Sequence, residues 1–304
     1  MTGTLAHSAV VVFFVISGYV IASAARRDGS AAGYAVSRAA RIYSVALPAL
    51  ALTFILDVAT GNTSYQHAQP WKYLPLFLGF ATDWWFLTEN AFSNVPYWSL
   101  SYEVWYYVIF GIALFAHGWW RWLLIGLVLA LIGPRQWLLL PVWLLGVALH
   151  RAPRVPRPRW ILAAALLGGV VLHASGLDAA LNGRVNDILG GFPGTHLRYS
   201  QYFVGDYLFA ALVAVAIVAA RDAELGFLAR WRGPIAAAAS VSFSMYLMHY
   251  PLFVAFASVF PGNNWVIGLG TLACVVAFGI LFERNKAVAR RLLLAVTSLR
   301  VART

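Results

Sequence analysis

Residues 8–25 read SAVVVFFVISGYVIASAA, an uncharged apolar stretch long enough to cross a bilayer as one helix. Eight further apolar stretches follow it in the 304-residue chain, and two of them, joined closely at Gly133-Pro134-Arg135, are interpreted as two short spans. The predicted spans are residues 8–25, 43–59, 97–116, 120–132, 136–150, 160–174, 203–220, 235–259 and 265–282. This pattern predicts an all-α, polytopic transmembrane helical bundle of about nine spans.

The composition agrees with a membrane protein. Of the residues, 61% are hydrophobic and 11% are charged, against about 25% charged in average globular domains. A single cysteine, Cys274, excludes a disulfide framework and a thiolate metal site. The net charge of +11 does not indicate nucleic-acid binding, because the chain has no polar basic domain. Disorder and an ordinary soluble enzyme are excluded as well.

The basic residues indicate an orientation. If nine spans begin outside and end inside, 18 of the 22 lysines and arginines face the cytoplasm, and the outward four are Lys72, Arg135, Arg184 and Arg198. This asymmetry follows the positive-inside rule and puts the C-terminus in the cytoplasm. It also requires the aromatic segment 71–94 to return to the outer face, as a re-entrant hairpin or an interfacial segment.

Residues 96–103, PYWSLSYE, form the densest polar set at the predicted membrane depth. Polar groups there are costly, so they are candidates for function. Ser99 and Glu103 are four residues apart and share a helix face. Glu103 is interpreted as functional, in preference to a carboxylate that is merely favoured by the helix N-terminus. The nearby aromatic residues are interpreted as an interfacial belt, comprising Trp98, Tyr102, Trp105, Tyr106 and Tyr107.

Three other groups are candidates with competing explanations. Arg38 and Arg41 suit the phosphates of a coenzyme A or nucleotide donor, but their spacing alone favours membrane anchoring and lipid headgroups. His249, beside the helix-breaking Pro251, is either a site residue or a packed histidine. His7 lies just outside the first span, where a histidine is usually solvated. No grouping of His, Asp or Glu has metal-ligand spacing.

Five short motifs lie in order along nearly the whole chain. They are VFFVISGYVI at 12–21, RAARIY at 38–43, WSLSYE at 98–103, SMYLMHYP at 244–251 and FER at 282–284. Together they resemble the motifs of the membrane-bound acyltransferase family 3, the sugar O-acyltransferases. Ser44 stands where the second motif of that family has proline.

The resemblance implies a single integral-membrane acyltransferase domain over residues 1–304, multi-pass in the bacterial inner membrane. Such enzymes move an acyl group, commonly acetyl, from cytoplasmic acyl-CoA to a hydroxyl group of a carbohydrate or glycolipid acceptor of the cell envelope. The implied co-substrate is acyl-CoA, with no other cofactor and no metal. Arg38 and Arg41 would then bind the donor phosphates, which raises that interpretation above membrane anchoring.

The resemblance also implies roles for the remaining candidates. Glu103 and His249 are expected to be catalytic, with His249 lining the cavity. The acceptor side is expected to consist, beside Glu103, of Trp98, Ser99, Ser101 and Tyr102. His7 is expected to occupy a connecting position in front of the motif at 12–21.

The chain departs from the family pattern before residue 12. The family's first helix carries an Arg-x10-His element whose histidine is the expected base, and acyl transfer needs such a base. Only a few residues precede the motif at 12–21 here, and the charge count also indicates a missing inward-starting helix. We therefore expect an N-terminal truncation of a ten-helix fold, with the chain either inactive or using His7 as a substitute catalytic base.

Two rival functions compete with acyl transfer. A transporter or lipid flippase would move its substrate without consuming acyl-CoA, and it is disfavoured because the chain shows no internal repeat. An inactive acyltransferase remnant would transfer no acyl group even with an upstream helix restored.

Overall fold

The regular secondary structure is helical, without a β-strand, in the residues that the computed structural model describes: 2–189, 197–285, 287–288 and 291. The α-helices are α1 (Thr2–Asp28), α2 (Ala31–Thr60), α3 (Tyr65–Ala68), α4 (Pro70–Leu78), α5 (Tyr97–Phe115), α6 (Gly118–Ile132), α7 (Pro134–Leu149), α8 (Pro158–Ser175), α9 (Leu177–Leu189), α10 (Phe203–Asp222), α11 (Arg232–Ala239), α12 (Ser242–Val259) and α13 (Asn264–Phe278). Two 3-10 helices, Arg198–Tyr202 and Gly226–Trp231, and one π-helix, Gly279–Glu283, lie between or after them.

Many of these helices are suited to a membrane. Within the described residues, six segments are long and apolar enough to cross it: Ala6–Ala25, Ala31–Thr60, Pro158–Ser175, Arg198–Asp222, Ser242–Val259 and Asn264–Glu283. Two other predicted spans coincide with the shorter apolar helices α6 and α7, and another coincides with α5, which is rich in tyrosine and tryptophan. The predicted span 235–259 is interrupted between α11 and α12. The protein is therefore an all-helical, multi-pass membrane protein, and the count of nine spans stays a prediction.

The chain forms two compact units. The first comprises Met1–Gly29, Asp83–Phe86 and Ala116–Ala229, and the second comprises Ser30–Thr82, Leu87–Phe115 and Arg230–Thr304. The first unit therefore contains α1 and α6–α10, whereas the second contains α2–α5 and α11–α13. The prediction of one domain over residues 1–304 stays a prediction.

Close contact between two helix backbones organises the first unit. Helix α1 packs against α7 and α10, and α8 packs against α10. A Cβ atom at Gly18 would collide with the carbonyl oxygen of Trp143, and one at Gly146 would collide with the carbonyl oxygen of Val15. Trp143 also donates its indole N–H to Ser17 Oγ at 3.3 Å. The Ser-Gly pair of the motif at 12–21 thus lets α1 and α7 approach closely, as small residues do in membrane helices.

The first unit also contains a buried cluster of charges. Arg135 Nη1 lies 3.1 Å from Asp83 Oδ1, and Arg198 Nη1 lies 3.5 Å from the same oxygen. Both Asp83 and Arg135 are buried, and Ser200 donates its hydroxyl to the Arg135 carbonyl at 2.7 Å. Two of the four arginines and lysines predicted to face outward are therefore engaged by one carboxylate from the aromatic segment 71–94.

The second unit is built around α2, which packs against α5, α12 and the π-helix. Ser30 begins α2, because its hydroxyl accepts a hydrogen bond from the Gly33 amide at 3.1 Å. Gly61 ends the helix in the left-handed conformation, with φ of 73°. Asp57, near that end, accepts a hydrogen bond from the Ser93 amide at 2.9 Å and thereby holds the loop that precedes α5.

The aromatic residues of α5 form part of the core of the second unit. The side chains of Trp98, Tyr102, Tyr106 and Tyr107 are buried, and the ring centroids of Trp98 and Tyr102 are 5.2 Å apart. Trp105 is partly buried and donates its indole N–H to the Phe80 carbonyl at 3.0 Å. The prediction of an interfacial belt is therefore wrong. The physical reason is that aromatic residues at helical spacing suit a packed protein face as well as a membrane interface.

Candidate functional site

A cationic pair lies on one turn of α2 in the second unit. Arg38 and Arg41 are both partly buried. The guanidinium carbon of Arg38 lies 5.7 Å from the ring centroid of Tyr34 and 6.0 Å from that of Tyr107. Arg38 Nη2 donates to Ser37 Oγ at 3.0 Å. The planar guanidinium is thus held against two aromatic rings, an arrangement that stabilises a cation.

A buried carboxylate accompanies this pair. Glu103 on α5 is 1% exposed and accepts a hydrogen bond from the hydroxyl of Tyr107, one turn further along the helix. Tyr34 donates its hydroxyl to the Tyr107 carbonyl at 2.9 Å. Arg41 interacts electrostatically with both Tyr107 and Glu103. The free energy needed to bury a carboxylate in this apolar helix is therefore offset by the Tyr107 hydroxyl and by the charge of Arg41.

Glu283 brings a second carboxylate to the same group. It ends the π-helix and accepts a hydrogen bond from the Ser244 amide at 2.9 Å, in the first turn of α12. A carboxylate is favoured there by the helix dipole. Arg41 also interacts electrostatically with Glu283. We call Arg38, Arg41, Glu103, Tyr107 and Glu283 the Arg41 cluster. The structure thus brings together residues from the motifs at 38–43, 98–103 and 282–284.

The two serines predicted for the acceptor side are buried and hydrogen-bonded within the second unit. Ser99 donates to the Tyr246 hydroxyl at 2.7 Å, and Tyr246 donates to the Pro96 carbonyl at 3.1 Å. Ser101 donates to the Phe80 carbonyl. Trp98 and Tyr102 are also buried, with their rings in contact. A substrate-binding role for these four residues stays a prediction.

His249 lies on the exposed side of α12. Its Nδ1 donates to the Tyr246 carbonyl at 2.6 Å and lies 3.2 Å from the Met245 carbonyl. This bond fixes the proton on Nδ1 in the neutral ring and leaves Nε2 as the basic nitrogen. The imidazole is therefore oriented by its own helix turn, and its catalytic role stays a prediction.

His7 lines a cavity in the first unit. The cavity has a volume of about 250 Å³, and its polar lining includes His7, Ser8, His173, Asp178, Asn182 and Asp206. His7 Nε2 lies 3.0 Å and 2.9 Å from the two carboxylate oxygens of Asp206, and the side chains of the pair are 10% and 8% exposed. The expectation of a solvated His7 is therefore wrong, because Asp206 in the first turn of α10 binds it.

A second histidine–aspartate pair lines the same cavity. His173 Nδ1 lies 2.8 Å from Asp178 Oδ2, and Ser8 Oγ lies 3.2 Å from His173 Nε2. The sequence analysis missed His173, Asp178 and Asp206. Asp206 and His173 had a signal, because both are ionisable residues inside predicted apolar spans, 203–220 and 160–174, where such groups are costly. Asp178 lies outside the predicted spans and had none. Among the described residues, no group of three His, Cys, Asp or Glu side chains is placed to hold a metal ion.

Comparison with known proteins identifies the family. A family model described as an acyltransferase domain, that of acyltransferase family 3, matches residues 1–284. Searches of curated proteins and of solved structures gave no match. The matched range contains all five motifs, the residues of the Arg41 cluster and the residues that line the cavity. The chain belongs to the membrane acyltransferase family 3.

Proposed function

We propose that the protein transfers an acyl group, with acetyl as the expected group, from acyl-CoA to a hydroxyl group of a carbohydrate or glycolipid acceptor of the cell envelope. Family membership supports the reaction class. The observation that carries the choice of donor is the Arg41 cluster, in which two arginine residues, Arg38 and Arg41, lie one helical turn apart on α2.

The donor argument rests on the chemistry of coenzyme A, whose phosphates are anions at neutral pH. Arginine offers planar, paired donors that match a phosphate better than a lysine ammonium does. Arg38 lies against the rings of Tyr34 and Tyr107, so less side-chain freedom is lost when it binds an anion. In the proposed nine-span topology of a bacterial inner-membrane protein, this end of α2 and the C-terminus face the cytoplasm, where acyl-CoA is available.

Glu103 has a defined place in this proposal. Its buried carboxylate interacts electrostatically with Arg41 and accepts the Tyr107 hydroxyl, so it favours a cation at this position. We propose Glu103 and His249 as catalytic residues, with Trp98, Ser99, Ser101 and Tyr102 on the acceptor side. The oriented imidazole of His249 supports its assignment, because its basic Nε2 points away from the helix carbonyls that fix Nδ1.

Replacing Arg38 with alanine is expected to weaken the binding of coenzyme A about tenfold or more, the usual loss when a hydrogen bond to a charged group is removed. Calorimetric titration of the protein in lipid nanodiscs with coenzyme A measures this change. Arg232→Ala is the matched control, because Arg232 is an exposed arginine of the same unit. Equal affinities of the two variants, or no binding by the wild-type protein, would contradict the proposed donor site.

A further inference from the structure

We propose that the connection between α7 and α8, residues 150–157, binds the phosphate of an anionic phospholipid through its exposed arginines. The connection lies wholly within the first unit. The proposal concerns a lipid that binds the protein and does not depend on acyl transfer, so either proposal can fail while the other stands.

The connection presents its arginines on one side. It reads HRAPRVPR, and arginine recurs at every third position as Arg151, Arg154 and Arg157. All three are exposed, whereas Ala152 and Val155 are partly buried. The repeat of three residues therefore separates an exposed arginine side from a side that contacts the rest of the unit.

The end of α10 holds the connection in place. Arg221 donates to the carbonyls of Ala152 and Pro153 at 3.1 Å each. Its neighbour Asp222 pairs with it at 2.8 Å and accepts a hydrogen bond from the Val155 amide at 3.0 Å. The exposed arginines therefore project from a backbone that is fixed before a ligand binds, which lowers the entropy that is lost on binding.

Positive charge is in excess around the connection. Residues 150–160 and 221–224 contain five arginines against Asp222 and Glu224, a net charge of +3 with histidine neutral. Asp222 is already paired with Arg221. An anion that docks here therefore meets more cations than the nearby carboxylates neutralise, and the paired donors of arginine suit a phosphate.

The surface beside the arginines suits a lipid better than a soluble anion. Trp160, in the first turn of α8, is 77% exposed, and tryptophan favours the headgroup level of a bilayer. Helix α8 is long and apolar enough to cross a membrane, and its residues Leu167 and Val170 are 64% and 65% exposed. A phospholipid whose phosphate binds the arginines can thus place its acyl chains along α8.

The charge of the connection favours one class of lipid. In the proposed topology the connection faces the cytoplasm, as the positive-inside rule requires. Anionic phospholipids give the cytoplasmic leaflet a negative surface potential that attracts basic segments close to it. Charge complementarity therefore favours an anionic phospholipid of that leaflet over a zwitterionic one.

Native mass spectrometry of the protein in neutral detergent measures this binding, with phosphatidylglycerol and phosphatidylcholine as the two probes. We expect the first bound phosphatidylglycerol to bind more tightly than phosphatidylcholine and to bind more weakly as salt is raised. The double variant Arg154→Ala with Arg157→Ala is expected to weaken phosphatidylglycerol binding about tenfold or more, the usual loss when a hydrogen bond to a charged group is removed.

A charge-matched variant is the control for the double arginine variant. Lys72→Ala with Arg184→Ala removes the same charge from two exposed residues that lie outside the connection. This control is expected to bind phosphatidylglycerol with wild-type affinity, because the proposed site is left intact.

Asp222 separates a built site from general attraction to positive charge. Asp222→Ala makes the protein more positive, so attraction by net charge alone predicts tighter binding of phosphatidylglycerol. The proposed site predicts weaker binding, by about threefold or more, because the carboxylate that holds Arg221 and the Val155 amide is gone. If Asp222→Ala lowers the unfolding midpoint, Asp222→Asn, which has the same shape and also lacks the charge, takes its place.

Four results would overturn the proposal. Three are equal affinities for the two lipids, wild-type affinity of the double arginine variant, and wild-type or tighter binding by the folded Asp222 variant. The fourth concerns the source of the phosphate and uses coenzyme A in a separate arm. If coenzyme A displaces phosphatidylglycerol at equal concentration and the double arginine variant no longer binds it, the arginines bind a soluble phosphate and the lipid assignment is wrong.

Discussion

Replacing Asp83 with alanine is expected to destabilise the protein by about 3–5 kcal/mol, the usual cost of removing one partner from a buried ion pair. Asp83 is fully buried, and Arg135, which pairs with it at 3.1 Å, is 3% exposed. Arg198 also faces this carboxylate at 3.5 Å. Alanine would leave both guanidinium groups without the counter-charge of Asp83, and that of Arg135 is buried, where a lone charge is costly.

The unfolding midpoint of the protein in lipid nanodiscs, measured by intrinsic fluorescence, reports this loss. Asp187→Ala is the matched control, because Asp187 is an exposed aspartate of the same unit, and it is expected to behave like the wild-type protein. The unfolding midpoint of Asp83→Asn should lie between those of Asp83→Ala and the wild-type protein, since asparagine keeps a hydrogen-bond acceptor and loses the charge. An Asp83→Ala protein with a wild-type midpoint would show that the cluster does not contribute to stability.

The second large effect concerns the Arg41 cluster. Arg41→Ala and Glu103→Ala are each expected to lower the rate of acyl transfer by about 100-fold, the order of a lost charge-stabilising contact at an active site. Arg41 interacts with Glu103, Tyr107 and Glu283. Its removal therefore takes away a proposed phosphate ligand and also leaves two carboxylates without that cation. Removal of Glu103 takes away one of the two carboxylates that interact electrostatically with Arg41.

Three comparisons give this prediction its controls. Arg41→Lys keeps the charge but not the paired donors, so it should recover donor binding only in part. The double variant Glu103→Ala with Tyr107→Phe should lose little more than Glu103→Ala alone, because the two side chains share one hydrogen bond. Arg232→Ala should transfer at the wild-type rate. If Arg41→Ala and Glu103→Ala also transferred acyl groups at the wild-type rate, the assignment of the Arg41 cluster as the active site would be wrong.

The fold was predictable to the extent that hydropathy determines it. A single uncharged stretch such as 8–25 has one stable conformation in a bilayer, the α-helix, because only a helix forms hydrogen bonds with all its own backbone polar groups there. The prediction of an interfacial belt was wrong because the spacing of Trp98, Tyr102 and Tyr106 shows that they share a helix face. It does not show whether lipid or protein covers that face. Periodicity within one helix carries no information about the helix opposite.

The site was predictable only in part for the same reason. Arg38, Arg41 and Glu103 stand in recognisable motifs, and the structure brings them together in one unit. The contact between His7 and Asp206 joins residues 199 positions apart, and no local pattern specifies which helix ends meet. Asp83 and Arg135 are likewise paired across 52 positions, although the charge count had treated Arg135 as an ordinary outward-facing residue.

Transfer of a labelled acetyl group tests the central claim most directly. The wild-type protein in liposomes is supplied with 14C-acetyl-CoA on its cytoplasmic side and with bacterial cell-envelope lipids and polysaccharides as acceptors. The proposed function predicts that free thiol of coenzyme A appears in equal amount with an alkali-labile 14C ester on an acceptor hydroxyl, and that Arg41→Ala forms both about 100-fold more slowly. Movement of an envelope lipid across the bilayer with no thiol released and no ester formed would contradict it.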